Sequence, residues 1–211
     1  MPKIVDHAQR RTEMVHALWQ VIYLKGIDGV SFRSVAEAAG ISVGRVQHYF
    51  PSRSELILEG CRQIVDGAEA AGPEDADEST RTGSADAVSA LRRFCFAFIP
   101  AGETMRIGAS VWYTYVARAV MDEQIAGIIR ASDRATLDLG IRLYRAAVGM
   151  DGTVGEVGDG EAGDDNAAAR MWAMRMIALG KGLAQEVMLD ERSAASAKEI
   201  LEAELAPLVA H

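Results

Sequence analysis

The chain has 211 residues, 49% of them hydrophobic, and a formal net charge of −8. This is enough apolar material for the core of one large or two small domains, which excludes a globally disordered chain. No apolar run approaches the ~18 residues a membrane helix needs, and the N-terminal MPKIVDHAQRRTE is polar rather than a leader, so a cytoplasmic protein away from membranes is expected.

Residues 7 to 25 place Met14, Val15, Leu18, Val21 and Ile22 at helical spacing and stop at Gly26, with Asp28 and Gly29 turning the chain. Ser31 then suits an N-cap for a short helix whose apolar face is Phe32, Val35, Ala36 and Ala39, and Gly40 suits the left-handed position that ends it. Ile41 fills the corner. Ser42 caps a second short helix, Val43 to Tyr49, which turns Val46 and Phe50 inward and Arg45, Gln47, His48 and Tyr49 outward. Two short helices joined by a glycine turn, the second apolar on its back and rich in donors on its front, are the arrangement of a helix-turn-helix DNA reader. Ser52 and Glu55 form a capping box for the next helix, which runs to about Ala70 with Leu56, Ile57, Cys61, Ile64 and Val65 along one side.

The pattern Gly26, Ala39–Ser42, Gly44, Val46, Phe50, Ser52, Arg53 and Leu56 resembles the TetR family of bacterial repressors, specifically over about residues 10 to 60. The spelling His48-Tyr49-Phe50 is similar to the betaine-regulator branch. Gln47 stands where that family usually holds a tyrosine on a phosphate. The resemblance implies an all-α chain, with a helix-turn-helix three-helix domain over residues 1–53 and a helical effector-binding and dimerisation domain over 54–211. The helix from 53 to about 70 links the two. It implies a homodimer on double-stranded, palindromic operator DNA and a nucleoid location, with a small-molecule effector of unknown identity. Read onto this chain, the DNA-binding set is Arg33, Ser42, Val43, Gly44, Arg45, Gln47, His48, Tyr49 and Arg53. Arg33 and Arg45 are expected on bases, while Gln47, Tyr49 and Arg53 are expected on phosphates. The excess acid all lies beyond residue 60, and an acidic remainder weakens non-specific sticking without preventing phosphate contacts by the head.

After an acidic break at residues 71–83, helices are expected at about 84–99, 103–121, 122–148, 165–189 and 193–209, interrupted by a polar, flexible loop at 150–165. Aromatic and sulfur side chains concentrate here. Phe98, Met105, Ala109, Trp112, Tyr115, Val116 and Met174 are the candidate ligand pocket, since such residues combine adaptable packing with stacking faces able to cage a quaternary ammonium group, with ordinary core packing the commoner reading for any one of them. Arg118 could neutralise an acidic ligand, although pairing with Asp122 one turn on is the simpler reading. Trp172, Met176, Leu179 and Leu183, with Leu201, Leu205 and Leu208, form narrow stripes that suit pairing between subunits, or else packing within one.

Other chemistry finds little footing. The GDGEAG at 158–163 has the letters of a dinucleotide loop but no preceding strand, and its acidic neighbours would repel a pyrophosphate; nor does their spacing make a calcium loop. The four histidines form no metal pair and no base beside a nucleophile, so no cofactor, metal or catalytic residue is expected. Cys61 and Cys95 lack CxxC spacing and read as buried thiols. The alternatives to a regulator are a small-molecule or protein-interaction module that has lost operator binding, or a small helical enzyme.

Overall fold

The computed structural model describes residues 7–70, 84–150 and 161–209. Among these the chain is all-α, with helices α1 (His7–Lys25), α2 (Phe32–Ala39), α3 (Val43–Tyr49), α4 (Arg53–Ala70), α5 (Ser84–Phe96), α6 (Glu103–Ala119), α7 (Glu123–Ala147), α8 (Glu161–Met188) and α9 (Ala194–Val209). The break at 71–83 and most of the 150–165 loop, including the first half of GDGEAG, lie outside the described residues. The helix expected from 165 begins at Glu161, so residues 161–165 are helical and not loop. The helix expected to reach residue 99 stops at Phe96, since Pro100 disfavours helical geometry in the residue before it and Ile99 N–H closes a tighter turn onto the Phe96 carbonyl at 3.1 Å.

The helices form two compact units. The first comprises the chain up to Glu69 together with Ile107–Ala131, and the second comprises Ala70–Arg106 and Ser132–His211. This differs from the expected division at residue 53: α4 up to Glu69 belongs to the head, and a later segment containing most of α6 joins it. The cause is burial. Val111 and Tyr115 of α6 and Ile125 and Ile129 of α7 pack into one core with Leu18, Phe50, Leu56 and Cys61. Tyr115 is fully buried there and its hydroxyl donates to the Ile57 carbonyl at 3.1 Å. It is therefore a core residue of the first unit and not a pocket liner, contrary to the sequence expectation.

In the second unit, Leu91, Phe94 and Cys95 of α5 pack with Leu143 of α7, Met176, Leu183 and Val187 of α8 and Ala197, Leu201 and Leu205 of α9. Four of the seven expected dimer residues, Met176, Leu183, Leu201 and Leu205, are thus buried inside the protomer. The apolar stripes of α8 and α9 are covered by α5, so those four leave no surface for a partner. Trp172 stacks on Tyr144 with ring centroids 4.6 Å apart, and Leu179 and Leu208 flank the same core. The opposite side of α8 presents Met171, Met174, Ala178 and Gly182 to solvent.

Candidate nucleic-acid interface

The reading head is built from caps and one buried seam. Ser31 accepts from the Ser34 amide at 3.0 Å and Ser34 Oγ accepts from the Ser31 amide at 2.8 Å, a reciprocal box that starts α2. Gly40 ends α2 at φ 64° and ψ 33°, a left-handed conformation costly to residues with a Cβ, and its amide bonds back to the last carbonyls of the helix. Ser42 Oγ accepts from the Arg45 amide and starts α3. Val35, Ala36, Val46 and Phe50 are buried between α2, α3 and α1. Seven residues are too few for a helix to stand alone, so α3 exists because its caps and this seam hold it.

The front of α3 is open. Ser42, Val43, Gly44, Arg45, Gln47 and His48 are all exposed, and Tyr49 is half-buried, its ring against His48 at 5.4 Å and His7 at 5.5 Å. Gly44 has open space where a Cβ would stand, which leaves room for a close-approaching backbone. Arg33, near the start of α2, is exposed. Eight of the nine residues expected at DNA therefore lie on α3, at its cap or near the start of α2.

Arg53 is placed differently from the expectation. Its Nε donates to the Val30 carbonyl at 2.6 Å and its Nη2 to the Ile27 carbonyl at 2.8 Å, so the guanidinium is turned onto the α1–α2 turn. It also lines a pocket with Asp28, Arg118 and Asp122, where two arginines stand against two carboxylates. At the start of α4 half of the expected capping box forms: Ser52 Oγ accepts from the Glu55 amide at 3.0 Å, while the Glu55 carboxylate pairs with Arg62 at 3.2 Å.

One residue was missed by sequence reasoning. Arg11 of α1 donates from Nη1 to the Tyr49 carbonyl at 3.0 Å, pairs through Nη2 with Glu59 at 3.0 Å, and lies 4.6 Å over the Phe50 ring. Its partners are 38 to 48 residues away, and no local pattern encodes such contacts. Burial raises the Glu59 pKa, but hydrogen bonds from Gln63 and Arg11 and the charges of Arg11 and Arg62 outweigh it, so the carboxyl titrates below the usual glutamate range.

Of the expected pocket residues, Met105, Val116 and Met174 are exposed, Ala109 is half-buried, and Trp112 is half-buried against the first unit's core. Phe98 covers Gly180, where an added Cβ would lie 3.0 Å from the ring. Arg118 faces Asp122 at 3.8 Å, the helical pair that the spacing favoured. Among the described residues no cluster of His, Cys, Asp and Glu has the makings of a metal site, and no helix is long and apolar enough to cross a membrane.

Two short capped helices, the second with a buried back and an exposed polar face, give the head the layout of a helix-turn-helix. The family model described as bacterial regulatory proteins, tetR family, matches residues 15–59. Over those residues the chain is similar to the TetR family of bacterial transcriptional regulators. It is 44% identical over 57 residues to the HTH-type transcriptional regulator PksA of Bacillus subtilis (strain 168), a match covering 27% of this chain and 28% of that protein. It is 24% identical over 137 residues to the HTH-type transcriptional regulator BetI of Vibrio campbellii, covering 65% of this chain and 67% of that one. The chain thus spans under a third of PksA. A solved transcriptional regulator from Saccharomonospora viridis in complex with choline shares the fold over 93% of this chain and 95% of its own, at TM-score 0.73 and 20% identity.

Proposed function

We propose that the protein is a ligand-responsive transcriptional regulator, acting as a repressor, that binds a palindromic operator as a homodimer. The observation that carries this is the exposed polar front of α3, Arg45, Gln47 and His48, on a helix whose back is buried and whose cap is satisfied. Arg33 and Arg45 read base edges, Gln47 and Tyr49 hold phosphates, and Ser42, Val43 and Gly44 bring the start of α3 close to the groove. Two-fold symmetry would set the two recognition helices about 34–36 Å apart, in successive major grooves. The second copy is proposed to pack on the solvent side of α8, around Met171, Met174, Ala178 and Gly182, where small and adaptable residues allow close approach.

The effector is proposed to be a small organic cation. The choline held by the Saccharomonospora viridis neighbour makes a quaternary ammonium compound the first to try, and stacked rings such as Tyr144 and Trp172 are suited to one. Ligand would favour a dimer whose heads no longer match the operator spacing, and linkage then requires DNA to weaken ligand binding by the same factor. The test is to select duplexes from a random pool, footprint the winner and titrate it with Arg45→Ala. Loss of a bidentate arginine–guanine contact should flatten discrimination among base-substituted operators by about 1–3 kcal/mol. Unchanged relative affinities would remove Arg45 from the readout, and failure to select any duplex would overturn the reading as a regulator.

A further inference from the structure

The helix-turn-helix is held at both ends by a guanidinium. At its start, Arg53 of α4 bonds the carbonyls of Ile27 and Val30, the latter one residue before the Ser31 cap of α2. At its end, Arg11 of α1 bonds the carbonyl of Tyr49, the last residue of α3, while its second nitrogen is anchored on Glu59 of α4. Glu59 is itself fixed by Gln63 at 2.9 Å and faces Arg62 at 3.6 Å. We infer that Arg11 and Arg53 are a pair of staples that set the orientation of α2–α3 on the scaffold of α1 and α4, and that Arg53 acts as a positioning residue rather than as a phosphate contact. This rests on the reading of the head as a DNA binder.

The physical basis is the shape of the side chain. A planar guanidinium presents divergent donors at fixed angles, so a single arginine bridges two acceptors on different segments; an ammonium is a point charge and holds one direction well at a time. The last carbonyls of a helix have no intrahelical partner, and a cation there is favoured by the helix dipole as well as by the hydrogen bond. α3 has only seven residues, so a bond at its final carbonyl constrains most of its length. Lysine substitution therefore separates the two roles. A single-bond phosphate contact needs mainly charge and largely survives Arg→Lys; a staple that bridges two acceptors needs the fork and does not.

The experiment uses the full-length chain and its Arg11→Lys and Arg53→Lys variants, which keep the charge and the aliphatic stem. Hydrogen–deuterium exchange is followed without DNA, and affinity for a duplex selected by the wild type is measured across a salt series. Expected is about tenfold faster exchange over residues 31–50 in either variant, with the helices of the second unit unchanged, because a charge-assisted hydrogen bond contributes on that order. Duplex affinity should fall by a similar factor with an unchanged slope against log salt, since no counterion-releasing contact is lost. Wild-type exchange and wild-type affinity in the lysine variants would overturn the proposal. So would a salt slope made shallower in Arg53→Ala by about one unit per subunit, with exchange unaltered, because that is the signature of a phosphate contact. If the wild type selects no duplex, the DNA-binding reading fails, while the exchange measurement still decides whether the staples exist.

Discussion

Gly60 of α4 faces side chains of both α1 and α6, and replacing it sets two large effects against each other. In a helix interior Gly→Ala ordinarily stabilises by about 1 kcal/mol through backbone entropy. A Cβ at position 60, however, would stand 2.4 Å from the Tyr115 hydroxyl and 2.5 Å from Leu18 Cδ2, so each must retreat by about 1 Å to reach the 3.4 Å at which ordinary contact begins. Both side chains are fully buried, and the Tyr115 hydroxyl is tied to the Ile57 carbonyl, so neither has free space to move into. Overpacking of this kind costs about 1–3 kcal/mol. A buried hydroxyl pulled off its acceptor adds about 1–3 kcal/mol. The sum leaves Gly60→Ala destabilised by about 3 kcal/mol, which for a chain of this size lowers Tm by roughly 6–12 °C. The assay is thermal unfolding at fixed protein concentration, with Tyr115→Phe and the double variant completing a cycle. Removing the hydroxyl should recover part of the loss. A Tm that rises in Gly60→Ala would show that helix propensity wins and that the three helices are not in close contact at this point.

Three further outcomes follow from particular residues. Ala178→Arg on the solvent side of α8 should yield a monomer by light scattering with helicity retained, whereas Leu201→Ala, in the protomer's own core, should lose about 2–5 kcal/mol of stability; a dimeric Ala178→Arg would place the partner elsewhere. Because the folded pKa of Glu59 lies below its unfolded value, its contribution is full above the ordinary glutamate range and is lost as pH falls through the depressed folded value; Glu59→Gln should make acid denaturation curves shallower in that window, and curves of equal slope would contradict the pairing with Arg11. Burial pushes the thiol of Cys61 up to about 11 and that of Cys95 to about 12, so iodoacetamide at pH 8 should leave both unmodified in the native protein and label both after denaturation; rapid native labelling would show that one is accessible.

The sequence by itself determined the elements of the reading head. Ser31, Gly40 and Ser42 are local signals whose chemistry acts within four residues of chain, and the structure has each where the pattern placed it: a cap, a left-handed stop and a cap. The apolar spacing of α1 likewise named Met14, Val15, Leu18, Val21 and Ile22 as buried before any coordinates. Tertiary structure decided everything that depends on which apolar stripe meets which. The stripes of α8 and α9 are equally suited to a partner subunit and to a neighbouring helix, and only the position of α5 over Met176, Leu183, Leu201 and Leu205 assigns them to the protomer's interior. Tyr115 carries the composition of a ligand pocket, yet the approach of α6 to Gly60 and Ile57 makes it core. Arg11 and Arg53 look like surface cations in the sequence because their acceptors are backbone carbonyls 23 to 38 residues away. A carbonyl belongs to every residue and leaves no mark in the letters, so contacts of that kind become legible only once the chain is folded.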